Sequence, residues 1–134
     1  MPDALPRPAG VAVVPCFNEG SNPIGISRAL LEIPDLAVAF VDDASDERSR
    51  AVLDSLAGRD ARVRVVRNAA RAGKVASLLG VLRDLDPCVE RIVLLDCDVD
   101  VSAASVRKVL AALEGADLVL ANARAIARFT FIER

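Results

Sequence analysis

Residues 92–100 read IVLLDCDVD, and the way this stretch is built decides the architecture around it. A run of four apolar residues, too short for a helix, stops at three acids spaced two apart. In an extended backbone residues i, i+2 and i+4 share one side. Asp96, Asp98 and Asp100 therefore form a row of carboxylates just beyond a buried strand, a pattern that attracts a hard divalent cation. A calcium loop of the D-x-D-x-D type is excluded. Its sixth position holds Val101 instead of glycine and its twelfth holds Arg107 instead of glutamate.

Working outward, four more short apolar runs have the same character. Residues 11–15 are Val-rich, and Pro15 is expected to end that strand because a proline cannot continue a central ladder. Residues 36–41 form a second strand that stops at Asp42 and Asp43. Residues 62–66, RVRVV, alternate in the manner of a strand near the sheet edge, and residues 117–121 supply a fifth. Helical periodicity fills the intervals. Asn22 is expected to cap a helix beginning at Pro23, with Ile26, Ala29, Leu30 and Ile33 inward and Pro34 closing it. Ser45 and Asp46 open a second helix with Val52, Leu53 and Leu56 inward and Gly58 as a left-handed cap. A third, from about Arg71, packs Val75, Leu78, Leu79 and Leu82. Ser102 caps a fourth, with Val106, Val109, Leu110 and Leu113 inward and Gly115 at its end.

Strand starts thus recur on average roughly every 26 residues with a helix between each pair, the period of βαβ units. Right-handed crossovers then predict an α/β fold: a Rossmann-like, open, mostly parallel sheet with helices on both faces. Residues 1–10, with three prolines, read as a flexible N-terminal arm, residues 11–121 as the α/β domain, and residues 122–134 as a short C-terminal segment. In such sheets ligands bind beyond the carboxyl ends of the strands, where strand order reverses. Here the loops at that edge are PCFNEG, DDASDE, NAARAGK and DCDVD, whereas the opposite edge has ordinary turns such as IPD and AGRD.

Composition narrows the chemistry. The 134 residues suit one domain, and 53% hydrophobic with 3% aromatic residues means a core of Val, Leu, Ile and Ala, as in a helix-covered parallel sheet. A net charge of -2 and a pI near 5.1 leave no basic footprint for nucleic acid. The absence of histidine excludes Ser-His, Cys-His and His-metal chemistry. Cys16, Cys88 and Cys97 are odd in number with no C-x-x-C pair, which argues against a disulfide framework or zinc site and for a reducing cytoplasm. No apolar span of about eighteen residues occurs, so the expectation is a cytoplasmic chain, soluble or at most peripheral to a membrane.

Arg71 and Lys74 fall at the expected start of the third helix, where the backbone dipole disfavours cations. Their presence makes sense if an anion such as a diphosphate occupies that helix end; the alternative, that both are simply solvated, is open at this point. Gly73 would allow close approach to the backbone. Asp42 and Asp43 are open to a bland reading too, as a solvated turn. Taken together, the four loops favour a nucleotide-plus-metal crevice. No G-x-G-x-x-G follows the first strand and no P-loop is present. The competing class is a receiver-like or nucleotide-binding regulatory module without transferase activity, with Asp42, Asp43 and Asp96 around magnesium.

The segments VVPCFNEGSN, VDDASDE, RNAARAGKVASLL and VLLDCDVD resemble, in order and spacing, the motifs of family 2 glycosyltransferases of the GT-A fold, over about residues 11–121. The resemblance implies the GT-A nucleotide-binding half, a UDP- or GDP-sugar donor, and a divalent cation, Mg or Mn. By position it implies that Pro15, Phe17 and Glu19 line the nucleoside pocket and that Asp43 accepts from the base. Lys74, with Arg71 as helper, would lie near the base or diphosphate; Asp96 would approach the ribose or metal; Asp98 would bind the metal. Phe17 stands where the family usually has tyrosine. The acceptor half, with its base aspartate and Q-x-x-R-W-like segment, finds no counterpart in ANARAIARFTFIER, so a truncated chain or a completing partner is expected. Phe129, Phe131 and Ile132 on that side would then favour dimerisation.

Overall fold

A computed structural model describes residues 10–119 of the chain. Strands and helices alternate: β1 (Gly10–Cys16), α1 (Asn22–Leu31), β2 (Leu36–Asp42), α2 (Glu47–Arg59), β3 (Val63–Arg67), α3 (Lys74–Arg83), β4 (Arg91–Leu94) and α4 (Ala103–Ala112), followed by one 3-10 turn at Leu113–Gly115. All three ladders are parallel and the strand order is β3-β2-β1-β4. The chain steps outward from β1 to β2 and β3, then returns through α3 to place β4 on the other side of β1. The direction of winding therefore reverses between β1 and β4, the point at which open α/β sheets bind ligands. A receiver has β1 between β2 and β3. Here β3 pairs with β2 at the sheet edge, so the strand order is not that of a receiver.

The period-2 pattern of each strand sends alternate residues to opposite faces. Ala12, Val14, Val38 and Phe40 pack with Ile26 and Leu30 of α1, Leu53 of α2, and Val106 and Leu110 of α4. Val11, Val13, Ala39 and Val41 pack on the other face with Val81 of α3. Phe40 and Leu30 are fully buried, each worth roughly 1.5–3 kcal/mol of transfer free energy.

Several local expectations are corrected. Pro15 does not end β1; it lies inside it, in register with Val41. Cys16 O accepts from Asp43 N on the β2 side, and Val13 O accepts from Leu95 N on the β4 side. By alternation the donorless nitrogen of Pro15 faces the β4 side, where the ladder has already stopped at Leu94. Gly10, assigned to the arm, opens β1; a Cβ there would meet Leu36 Cδ1 at 3.2 Å. The residue before α1 is Ser21, with Asn22 already helical. Gly58 stays inside α2, which runs to Arg59. Arg62 precedes β3 and donates to Leu31 O and Ile33 O, closing the C-terminal end of α1. Helix α3 starts at Lys74 rather than Arg71, and its buried positions are Ser77 and Val81; Val75 and Leu79 are exposed. Residues 117–119 form no ladder with the described strands. Residues 120 and 121, the C-terminal segment with Phe129, Phe131 and Ile132, and the arm up to residue 9 lie outside the described residues. No described helix is long and apolar enough to cross a membrane.

Candidate functional site

Strand β1 outruns its ladder with β4 by three residues, and the chain after Leu95 turns away, leaving a gap beyond the carboxyl ends of the two strands. That gap is a crevice of about 280 Å³, lined by Pro15, Cys16, Phe17, Glu19, Asp43, Arg71, Lys74, Ser77, Asp96, Cys97 and Asp98. All eight candidate residues from the sequence are among them, contributed by the end of β1 and the loop after it, the loops after β2 and β4, and the stretch that leads from β3 into α3. Asp100 is exposed and takes no part in the lining.

The two neighbouring acids of DDASDE do different work. Asp42 is fully buried; its carboxylate accepts from Arg67 Nε at 2.7 Å and from Ser45 N at 3.0 Å. Burial pushes its carboxyl up, but the hydrogen bonds from Ser45 and Arg67 and the Arg67 charge outweigh that and hold it below the usual carboxylate range. Arg67 also reaches Asp54 at 3.0 Å, so this arginine ties β2, β3 and α2 together. A left-handed turn at Ala44 (φ 57) brings Ser45 N back to Asp42.

Asp43, buried but on the crevice wall, organises the loop opposite. Its Oδ1 accepts from Ala72 N at 2.7 Å and Asn68 Nδ2 at 2.9 Å, and its Oδ2 from Gly73 N at 2.9 Å, with Arg71 Nε at 3.8 Å. The backbone N–H of Ala72, then Asn68, hold its carboxyl below the usual range despite burial, with Gly73 and Ser77 adding to the effect. Asn68 Nδ2 also contacts Ser77 Oγ at 2.8 Å, anchoring the loop to α3. Gly73 is the residue before α3, at φ 89, and has no side chain to cap the first turn. Helix α3 therefore starts with an uncapped first turn, and its first residue, Lys74, lines the crevice, an arrangement suited to an anion.

Both cations of this loop already have partners. The Arg71 guanidinium lies 3.3 Å from the centroid of the Phe17 ring, and Lys74 Nζ pairs with Asp96 Oδ1. On the floor, Cys16 lies in hydrogen-bonding contact with Cys97; both thiols are free and buried. Hydrogen bonding with the Cys97 thiol and burial push the Cys16 thiol well up, so it is a neutral packing group. Glu19 accepts from Asn22 Nδ2 at 3.0 Å.

The sequence reading missed Asn68, Ser77 and Arg67. Ser77 was detectable as a polar residue interrupting the apolar stripe of α3, and Asn68 and Arg67 as the polar residues closing β3.

Among the described residues no group of three or more His, Cys, Asp or Glu side chains forms a metal cage by itself. Asp96 and Asp98 offer two hard oxygen donors, which suits Mg or Mn: such ions use one or two carboxylates plus substrate phosphates. The lining carries Glu19, Asp43, Asp96 and Asp98 against Arg71 and Lys74, leaving two negative charges in excess. A diphosphate entering unaided would meet that excess; a divalent cation balances it.

The comparisons with known proteins agree with this architecture. A mannosyltransferase, PcManGT from Pyrobaculum calidifontis, solved with GDP-Man and Mn2+, is similar over 80% of this chain and 32% of its own, with 21% identity and a TM-score of 0.67. TarS from S. aureus (residues 1–349) is similar over 79% of this chain and 32% of its own, with 14% identity and a TM-score of 0.65. The chain thus spans about a third of the length of these structures. No curated protein sequence matches significantly. The family model for glycosyl transferase family 2 matches residues 11–132. With that match spanning nearly the whole sequence, and with a Rossmann-like sheet of the GT-A type beneath it, the chain belongs to glycosyl transferase family 2.

Proposed function

We propose that this chain is a donor-binding domain that holds a nucleoside-diphosphate sugar, UDP- or GDP-linked, for glycosyl transfer. The observation that carries the reading is the convergence of Phe17, Asp43, Lys74, Asp96 and Asp98, from three loops and the start of α3, on one crevice at the β1/β4 switch point. In this reading the nucleoside lies along Pro15, Phe17 and Glu19. Asp43 Oδ2 accepts one base N–H with the lone pair that Gly73 leaves over. Arg71, Lys74 and the first turn of α3 face the diphosphate. Asp98, with Asp96, holds Mg or Mn, which supplies charge neutralisation of the departing diphosphate when bound. That the Pyrobaculum mannosyltransferase was solved with GDP-Man and Mn2+ supports a nucleotide-sugar ligand and a divalent cation as the classes of partner for this crevice.

The chain's own residues account for binding and orientation. Loop 68–74 keeps its cations directed at the crevice because Asp43 fixes its backbone. The low exposure of the Asp42–Arg67 pair keeps the base of that wall rigid. Attack by an acceptor hydroxyl on the anomeric carbon requires a general base, and none of the described crevice residues is assigned that role. An acceptor-binding part, in this polypeptide or in a partner, is proposed to supply it.

Calorimetric titration with UDP, GDP and their sugars, with and without manganese, tests the reading. Manganese-dependent binding that weakens at least about tenfold in Asp98→Asn is expected. No binding, or binding indifferent to both manganese and Asp98→Asn, refutes it.

A further inference from the structure

The Lys74–Asp96 pair has a consequence for how metal and donor bind, and it rests on the donor-site reading above. Lys74 is the first residue of α3, and its ammonium is on Asp96, one of the two carboxylates of the candidate metal position. Both side chains are about half exposed, 57% and 52%, so the pair is a weak, water-screened one that exchanges partners readily. Arg71 shows the same habit three residues earlier, resting on the Phe17 ring and beside Asp43. Both cations thus sit on groups that the donor-site reading gives to ligand or metal. The backbone beneath them is held independently, by the Asp43 bonds to Ala72 and Gly73, so either side chain can move without the loop moving.

We infer that Lys74 is a placeholder cation: with no metal present it neutralises Asp96, and a divalent ion taking that carboxylate releases the ammonium to the donor's diphosphate. Charge bookkeeping in the crevice requires this exchange to be two-sided. If Lys74 turned to the diphosphate without a metal, Asp96 would be left uncompensated beside Asp98. If a metal bound Asp96 without a diphosphate, Lys74 would face the incoming dication at close range. Each ligand therefore removes an obstacle to the other. The coupling is reciprocal, with manganese raising diphosphate affinity by the factor by which diphosphate raises manganese affinity. The substitution signature is a change of opposite sign at the two ligands, which a purely structural role for Lys74 does not produce.

The test uses the full chain and its Lys74→Met and Lys74→Arg variants. Binding of Mn2+ alone is followed by loss of its free-ion electron paramagnetic resonance signal, and GDP and UDP binding by calorimetry at saturating Mn2+. Lys74→Met is expected to bind Mn2+ alone about two- to fivefold more tightly than wild type, the worth of one exposed ion pair, and to bind the nucleotide about tenfold or more weakly. Lys74→Arg keeps both affinities near wild type. Manganese affinity in Lys74→Met that is unchanged, lower, or undetectable alongside wild type overturns the placeholder role. If wild type binds neither GDP nor UDP at saturating manganese, the donor-site reading itself has failed, which is a separate result.

Discussion

Replacing Asp43 by asparagine keeps its shape and removes its charge, and the structure indicates what that costs. The carboxylate accepts three hydrogen bonds, from Ala72 N, Asn68 Nδ2 and Gly73 N, at 2.7–2.9 Å. Hydrogen bonds to a charged group contribute roughly 1.5–3 kcal/mol each, about twice the neutral value. An amide oxygen placed at Oδ1 keeps the Ala72 and Asn68 bonds in weakened form. The amide nitrogen then meets Gly73 N–H, donor against donor. The expected loss in loop 68–74 is about 2–3 kcal/mol. With 1.4 kcal/mol per tenfold, native-state hydrogen exchange at the Ala72 and Gly73 amides should speed up about 30- to 150-fold. The β2 amides of Val38 and Phe40, held in the central ladders, should stay protected. Exchange at 72 and 73 that is unchanged in Asp43→Asn would refute the claim that this acid builds the anion-facing wall.

Two further outcomes follow from the buried charges. Arg67→Met leaves the fully buried Asp42 with only its Ser45 bonds and should destabilise the fold by about 2–4 kcal/mol in urea unfolding. Arg67→Lys should recover only part of this, because one ammonium cannot span Asp42 and Asp54 as the guanidinium does; a loss below about 0.5 kcal/mol in Arg67→Met contradicts the assignment. Asp42 and Asp43 are both held below the usual carboxylate range, so the native state binds fewer protons than the unfolded chain. Their stabilisation is complete above the unfolded value of about 3.9 and is lost as pH falls through the lower folded values. The urea midpoint should therefore hold from neutral pH down to about 5 and drop below about 4, with a shallower drop in Asp43→Asn.

Much of the architecture was legible because apolar residues repeat at two periods along the chain. The acids after the second and fourth strands, and the basic pair after the third, stood out for breaking that pattern, and they do meet in space. What was not legible depended on neighbours in the sheet. Pro15 reads as a strand end only if both its flanks are paired; its nitrogen happens to face the side where β4 has stopped. On α3, Leu78 and Leu82 pack inward as expected, but Val75 and Leu79 do not: they are as apolar as Val81, and only packing against Val11, Val13, Ala39 and Val41 decides which face is buried. Asn68 and Ser77 stood out only as polar residues beside apolar runs; that they support Asp43, which lies 25 positions away from Asn68 in the chain, is visible only in the fold. The different fates of Asp42 and Asp43 follow from strand alternation: consecutive residues point to opposite sides, one toward Arg67 and one toward the crevice.

Where a metal–donor complex sits on this fold can be read by paramagnetic broadening. With GDP or UDP and substoichiometric Mn2+, the amide resonances of Lys74, Asp96, Cys97 and Asp98 should broaden while those of Ile33 and Leu36, at the opposite edge of the sheet, stay sharp; Asp98→Asn should abolish the effect. Broadening centred elsewhere, or none at saturating nucleotide, would contradict the assignment of the β1/β4 crevice as the donor site.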